Sequence, residues 1–174
     1  MSDIKMTNEE RRALLQQMFC EGTPHNRELG LAILEVDRGR AVMKLDYQER
    51  LVGNPATGVI HGGAITVLLD SAGGMAVATM LTEPKPFATL DLRIDYVRPA
   101  TPRQPVIADA ECYKITSNVA FFRAIAHHGN KADPIAAASG TYMLATKGES
   151  RLSESLLQSA FEEKPTDVAV GGKP

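Results

Sequence analysis

The most apolar stretch of the chain, GVIHGGAITVLLDSAGGMAVATML at residues 58–81, contains a single carboxylate, that of Asp70. His61 is the only other titratable side chain in this stretch. An unpaired carboxylate is costly to bury, so a lone acid in an apolar segment requires a reason. Asp70 is therefore predicted to be paired, to be neutral, or to have a functional role.

The glycine pair before Asp70 suggests a second chemical group. A helix that begins near Gly62 presents unpaired backbone N–H groups at its N-terminus, and glycine lets an oxygen atom approach them closely. The amide of Gly63 is then placed to polarise a carbonyl, as in an oxyanion hole.

The spacing of these two groups predicts a dimer. Asp70 follows Gly63 by seven positions, which returns it to nearly the same face about 10 Å along the helix. Reacting groups must lie about 3 Å apart, so one subunit cannot bring both to one carbonyl carbon. Two antiparallel helices across a two-fold axis place each Gly63 opposite the partner subunit's Asp70, and the small residues Gly73, Gly74 and Ala76 are expected to permit that approach.

The elements that position these residues form an α+β pattern. The Ala-rich run over residues 62–81 predicts a long, buried central helix, and Thr7 with Glu10 has the spacing of a capping box for a short leader helix. Residues 48–60 are expected to be a loop. Strands are predicted as two runs around Asp37-Arg38-Gly39 and over residues 87–98, 105–115, 119–128 and 134–146. The pattern predicts one domain with a long helix against about six antiparallel strands.

The run over residues 87–98 alternates strictly between apolar and polar residues. This period predicts two faces of one strand. Thr89 is placed on the polar face with Asp91, Arg93 and Asp95, and the apolar face consists of Ala88, Leu90, Leu92, Ile94 and Tyr96.

Composition excludes several classes of protein. The chain has 174 residues, a net charge of −2 and a pI near 6.1, which gives no electrostatic argument for binding nucleic acid or an anionic membrane. Two isolated cysteines, Cys20 and Cys112, favour a reducing compartment, and the polar N-terminus lacks the core of a signal peptide. Four glycines and Asp70 argue against a membrane span at residues 62–81. We expect a cytoplasmic protein.

Two motifs, HGGAITVLLDSAGGMA and TLDLRIDYVRPA, closely resemble the hotdog-fold acyl-CoA thioesterases of the phenylacetate-degradation (PaaI-like) type, over roughly residues 30–146. The resemblance implies an antiparallel sheet wrapped around a central helix, and hydrolysis of an acyl- or aryl-CoA thioester at a site shared by two protomers. It implies that Gly63 supplies the oxyanion amide and that Asp70 is the nucleophile or the general base. His61 matches the histidine that holds the loop and orients the thioester.

The resemblance implies further contacts. Asn54 matches an asparagine that orients water or substrate, although it precedes His61 by seven residues, one more than the family spacing. Thr89 matches a hydroxyl residue near the acid. Candidate contacts to CoA, which is part of the substrate and not a separate cofactor, are Gly62, Arg93, Arg98 and Arg123, together with Arg103 and Lys114.

No metal is expected, because His127 and His128 are adjacent on a predicted strand and point to opposite faces. The expected assembly is a homodimer or a dimer-of-dimers tetramer. The chain is divided into a leader helix (1–28), a hotdog thioesterase domain (29–146) and a C-terminal peripheral helix and tail (147–174). A hotdog hydratase or dehydratase and a non-catalytic acyl-CoA-binding protein are the alternative functions.

Overall fold

One long helix packs against a six-stranded antiparallel sheet in the computed structural model, which describes residues 7–82 and 86–145. The helices are α1 (Asn8–Leu15), α2 (Pro24–Leu29) and α3 (Gly62–Ala78). The strands are β1 (Leu31–Asp37), β2 (Arg40–Leu45), β3 (Val52–Asn54), β4 (Val59–Ile60), β5 (Phe87–Tyr96), β6 (Val106–Ile115), β7 (Val119–His127) and β8 (Ala136–Leu144). The main sheet has the order β1-β2-β6-β7-β8-β5. The predicted fold class is confirmed.

The predicted strands are present, with small differences at their ends. β1 and β2 form the expected hairpin, and Gly39 adopts the positive φ of 77° that its turn requires. The segment 48–60 is more ordered than the predicted loop, because a 3₁₀ turn at Glu49–Leu51 leads into a small ladder of β3 and β4. The predicted C-terminal helix, and the residues 83–85 expected to end the long helix, lie outside the described residues.

The leader contains two short helices. Thr7 and Glu10 form the predicted capping box of α1, with the Glu10 N–H donating to Thr7 Oγ1 over 3.2 Å. The helix then widens into a π-helical turn over Gln16–Glu21 before α2 begins. Ser71 Oγ donates to Asn26 Oδ1 over 3.3 Å, which ties α2 to the side of α3.

In the core, the ring of Phe122 packs between Gly73 of α3 and Gly140 of β8. A Cβ atom on Gly73 would lie 2.3 Å from the ring of Phe122, and a Cβ on Gly140 of β8 would lie 2.5 Å from the same ring. Gly74 faces the Tyr142 hydroxyl, and Ala76 is fully buried. The prediction that Gly73, Gly74 and Ala76 permit the approach of a second helix is therefore wrong, because all three are buried within their own subunit.

Strand β5 departs from the strict alternation predicted for it. Thr89 pairs with Tyr142 and Asp91 pairs with Thr141, so Leu90 is the extra residue of a bulge. Leu92 and Ile94 pack against the core, but Leu90 is 55% exposed. The single apolar face predicted for β5 is wrong, since the bulge moves the residues before it to the opposite face.

Candidate active site

The site begins at the first turn of α3, which His61 caps. The Gly63 N–H donates to His61 Nδ1 over 2.9 Å, and the Ala64 N–H donates to the main-chain oxygen of His61. The His61 N–H donates in turn to the main-chain oxygen of Leu51 over 2.8 Å. The 48–60 segment therefore holds His61, and His61 occupies the amide predicted to form the oxyanion hole.

A tyrosine from β5 fixes the other side of this turn. The Tyr96 hydroxyl donates to the Gly62 main-chain oxygen over 2.7 Å and lies 3.0 Å from Thr66 Oγ1. A Cβ atom on Gly62 would lie 3.2 Å from that hydroxyl, so the close approach of Tyr96 favours glycine here. The start of α3 is thus held between β5 and the 48–60 segment.

Asp70 lies two turns further along, with one carboxylate oxygen held by two hydroxyl groups. Thr89 Oγ1 donates to Asp70 Oδ1 over 2.9 Å. The Tyr142 hydroxyl lies 3.0 Å from the same Oδ1 and 2.5 Å from the main-chain oxygen of Asp70. In the described part of the chain no hydrogen bond joins Oδ2 to a protein donor. One oxygen is therefore fixed, and the other is available for chemistry.

Tyr142 is a fixed hydrogen-bond donor to this carboxylate. Burial, followed by the nearby charge of Asp70, raises the pKa of the Tyr142 phenol, so it stays protonated at neutral pH. Its ring packs 5.3 Å from that of Phe122 and 5.4 Å from that of Phe87. The ring packing and the protonated hydroxyl together hold Asp70 in one orientation.

The structure brings Thr89 to Asp70 but leaves Asn54 apart from it. Asn54 Oδ1 accepts from the Ala56 N–H over 3.0 Å, and its main-chain oxygen accepts from the Thr57 and Gly58 N–H groups. The side chain thus stabilises the turn between β3 and β4. None of these bonds reaches His61 or Asp70.

Three of the four arginines named as candidate CoA contacts form ion pairs with neighbouring carboxylates. Arg93 pairs with Asp95, Arg98 pairs with Asp133, and Arg123 pairs with Glu111. Arg123 lies on β7 between the core residues Phe122 and Ala124, and its side chain points to the sheet face opposite α3. The structure does not gather these cations around Asp70 within one chain.

Sequence reasoning missed Tyr96 and Tyr142. Tyr142 is 72 positions from Asp70 along the chain, and only the pairing of β8 with β5 brings it beside Thr89. A tyrosine among the Ala, Ser and Gly residues of β8 was the available signal, since a buried tyrosine hydroxyl needs a partner.

Within residues 7–82 and 86–145 no helix is long and apolar enough to cross a membrane. The same residues contain no group of three His, Cys, Asp or Glu side chains arranged to hold a metal ion.

Comparison with known proteins identifies the family. Residues 57–135 match the model of the thioesterase superfamily. A Halobacterium salinarum protein named as an esterase is 38% identical over 96 residues, and that match covers 52% of this chain and 61% of the relative. The medium/long-chain acyl-CoA thioesterase YigI of Salmonella typhimurium is 31% identical over 152 residues, which cover 80% of this chain and 97% of YigI.

Solved structures agree with these matches. A Pseudomonas aeruginosa protein is 38% identical with a TM-score of 0.67, and the match covers 78% of this chain and 97% of that chain. A mutant of the phenylacetic acid degradation protein PaaI from Thermus thermophilus is 27% identical with a TM-score of 0.61, covering 70% of this chain and 98% of that chain. These findings confirm the resemblance, and the chain belongs to the thioesterase superfamily as a PaaI-like thioesterase of the hotdog fold.

Proposed function

We propose that the protein hydrolyses acyl-CoA thioesters to the free acid and CoA, at a site shared between two subunits, with Asp70 as the reacting acid. The observation that carries the proposal is the carboxylate of Asp70, whose Oδ1 accepts from Thr89 and Tyr142 while Oδ2 has no protein donor in the described residues. The names of the YigI relatives support the acyl-CoA substrate.

Two routes use the free oxygen of Asp70. As a general base, Oδ2 takes a proton from water while the water oxygen attacks the carbonyl carbon; the C–S bond then breaks and the CoA sulfur takes up a proton. As a nucleophile, Oδ2 attacks that carbon and displaces the CoA thiolate, and water hydrolyses the resulting mixed anhydride. Both routes place negative charge on the former carbonyl oxygen, which needs a donor opposite Asp70.

The Gly63 amide is that donor in the proposal. Its N–H already donates to His61 Nδ1, so the thioester oxygen must replace the imidazole as the acceptor. The His61 imidazole turns away as the substrate oxygen arrives. The Gly63 N–H therefore exchanges one acceptor for another. His61 then lies beside the thioester, where it can orient the substrate.

The shared site follows from the helix geometry. Gly63 and Asp70 of one chain are separated by about 10 Å along α3, so the acid opposite each Gly63 is the partner subunit's Asp70. Gly63 is exposed, and Thr66, Val67 and Asp70 on the same face of α3 are partly exposed. This face is therefore open to a second helix.

The edge of the sheet supports the same dimer. Among the described residues, β5 is the edge strand next to β8, with nine of its ten residues paired there, and the strand leaves Leu90 55% and Tyr96 48% exposed. A second copy that pairs its own β5 antiparallel to this edge satisfies the unpaired backbone groups and turns the two α3 helices towards each other. We propose this interface, with the dimer-of-dimers tetramer as the larger assembly.

The remaining candidates keep secondary roles in the proposal. Arg93, Arg98 and Arg123 are candidates for the CoA phosphates, and each must exchange its carboxylate partner to bind one. Gly62 is a further CoA contact, and Asn54 is a candidate for orienting water when the turn that holds it opens. The proposal needs no metal or other cofactor.

The test is hydrolysis of a panel of short, long and aromatic acyl-CoAs by the wild type and by Asp70→Asn. The amide keeps the shape of the carboxylate but supplies neither a base nor a nucleophile, so kcat falls at least about 100-fold while acyl-CoA binding persists. Asp37→Asn, at the exposed end of β1, is the matched control and keeps wild-type turnover.

Other outcomes identify other functions. Unchanged turnover in Asp70→Asn rules out the assigned acid. Tight acyl-CoA binding without hydrolysis by the wild type indicates a binding protein, and addition of water to an enoyl-CoA double bond indicates a hydratase.

A further inference from the structure

A cavity of about 310 Å³ lies beside the first two turns of α3 and reaches His61 and Gly63. Its walls come from three parts of the chain. Ala64 and Val67 of α3 form one wall, Leu51 and Val52 of the 48–60 segment form the second, and Leu29 of the leader helix α2 contributes to the third. The cavity therefore opens at the amide where the proposed mechanism places the thioester oxygen.

The chemistry of these walls favours an aliphatic occupant. Five of the nine lining residues have alkyl side chains, and these favour an alkyl group by removing its surface from water; His25, Arg50, His61 and Gly63 line the rest. The cationic residue at the rim, Arg50, is already engaged by the protein. Its Nε donates to Gln48 Oε1 over 2.9 Å, and its Nη2 donates to the main-chain oxygen of Glu28.

The hydrogen bonds of Gln48 and Arg50 also hold α2 in place beside the cavity. Gln48 Nε2 donates to the main-chain oxygen of Leu29 over 2.8 Å, so Gln48 and Arg50 together bind the last two carbonyls of α2. On its other side α2 is tied to α3 by the bond between Ser71 and Asn26. The position of Leu29 relative to α3 is therefore set by hydrogen bonds on two sides of α2.

We propose that this cavity binds the acyl chain of the substrate and that the leader helix α2, with the segment it holds, sets the length of chain accepted; the inference rests on the proposed function. With the thioester oxygen at the Gly63 amide, an aliphatic chain extends between Val67 and Leu51 towards Leu29. The experiment below also distinguishes a preference for aliphatic acyl groups from a preference for aromatic ones.

The experiment measures kcat/KM for straight-chain acyl-CoAs from acetyl to palmitoyl, with benzoyl- and phenylacetyl-CoA beside them. In the wild type kcat/KM rises about fourfold with each methylene that enters the cavity and then levels off. Leu51→Trp fills the cavity and lowers kcat/KM for the best wild-type substrate at least about tenfold, while acetyl-CoA changes less than about threefold. Leu51→Ala moves the optimum to a longer chain.

Leu34 of β1, which is 39% exposed and does not line the cavity, provides the matched controls Leu34→Trp and Leu34→Ala, and both keep the wild-type profile. If Leu51→Trp does not fold, Val52→Trp gives the same test from the adjacent wall residue. An unchanged length profile in a folded filling variant overturns the proposal, as does a wild-type preference for aromatic acyl groups. Failure of the proposed function is a separate result, since it appears as Asp70→Asn retaining turnover with every substrate.

Discussion

The two halves of helix α3 carry the same Gly-Gly dipeptide but use it differently. In the first half, Gly62 and Gly63 begin a turn that keeps one face open to solvent, on which Asp70 also lies. In the second half, every residue from Ser71 to Ala78 is buried, and Gly73 lies against the Phe122 ring. The first pair begins the turn that His61 caps, and the second lets the helix approach its sheet.

This difference divides α3 into a half with an exposed face and a half that is fully buried. The buried half anchors α3 on the sheet, so the open half is held rigidly without being covered. A substitution in one half should therefore change stability, and one in the other half should change turnover.

Gly73→Ala tests the buried half and has the largest expected effect. The new Cβ atom would lie 2.3 Å from the Phe122 ring, which Gly140 blocks from behind, so helix and sheet must separate. We expect the free energy of unfolding to fall by about 1–3 kcal/mol, as is typical of an overpacked core. Denaturant unfolding measures this loss. Wild-type stability in this variant would show that the packing at Gly73 is not tight.

Tyr142→Phe tests the connection between the two halves. The ring remains in the core, but Asp70 Oδ1 loses one of its two hydroxyl donors. We expect kcat to fall about tenfold, or about 1.4 kcal/mol, with little change in KM, because the acid is less well oriented. Tyr113→Phe, at a tyrosine that is 54% exposed on β6, is the control. Equal kcat values for the two variants would exclude a positioning role for Tyr142.

His61→Ala tests the open half and has the smallest expected effect on stability. It removes the side-chain cap on the Gly63 N–H, which should lower the free energy of unfolding by about 1 kcal/mol. His61→Asn supplies another capping side chain and should restore most of that loss in thermal unfolding. A loss of kcat/KM that persists in His61→Asn then reports the proposed orientation of the thioester. Full activity in both variants would limit His61 to capping.

The sequence predicted the elements well because their signals are local. The strand-like runs of β6, β7 and β8, the capping box of α1 and the glycines that open α3 all depend on neighbouring residues. The bulge at Leu90 had no such signal, since it arises from the pairing of β5 with β8. For the same reason, the contact between Phe122 and Gly73 could not be predicted without the sheet topology. The same holds for the hydrogen bond from Tyr142 to Asp70.

The site was predicted in part. Asp70 and Thr89 are in contact, as the resemblance implied, although the strict alternation placed Thr89 on the wrong face of β5. The role of Gly63 stays a prediction, with the added requirement that the His61 imidazole leaves its N–H. Asn54 is held in a turn because its short polar side chain bonds the backbone two residues ahead, an interaction that the spacing to His61 did not indicate.

The central claim, a site composed of Gly63 from one subunit and Asp70 from the other, is tested most directly by mixing two inactive variants. Gly63→Pro removes the amide hydrogen at a first-turn position where proline is tolerated, and Asp70→Asn removes the acid. After the subunits are unfolded and refolded together in equal amounts, heterodimers carry one intact site each. Hydrolysis should then recover to about a quarter of the wild-type level. If native mass spectrometry shows heterodimers and no activity returns, the two groups do not form a site between subunits.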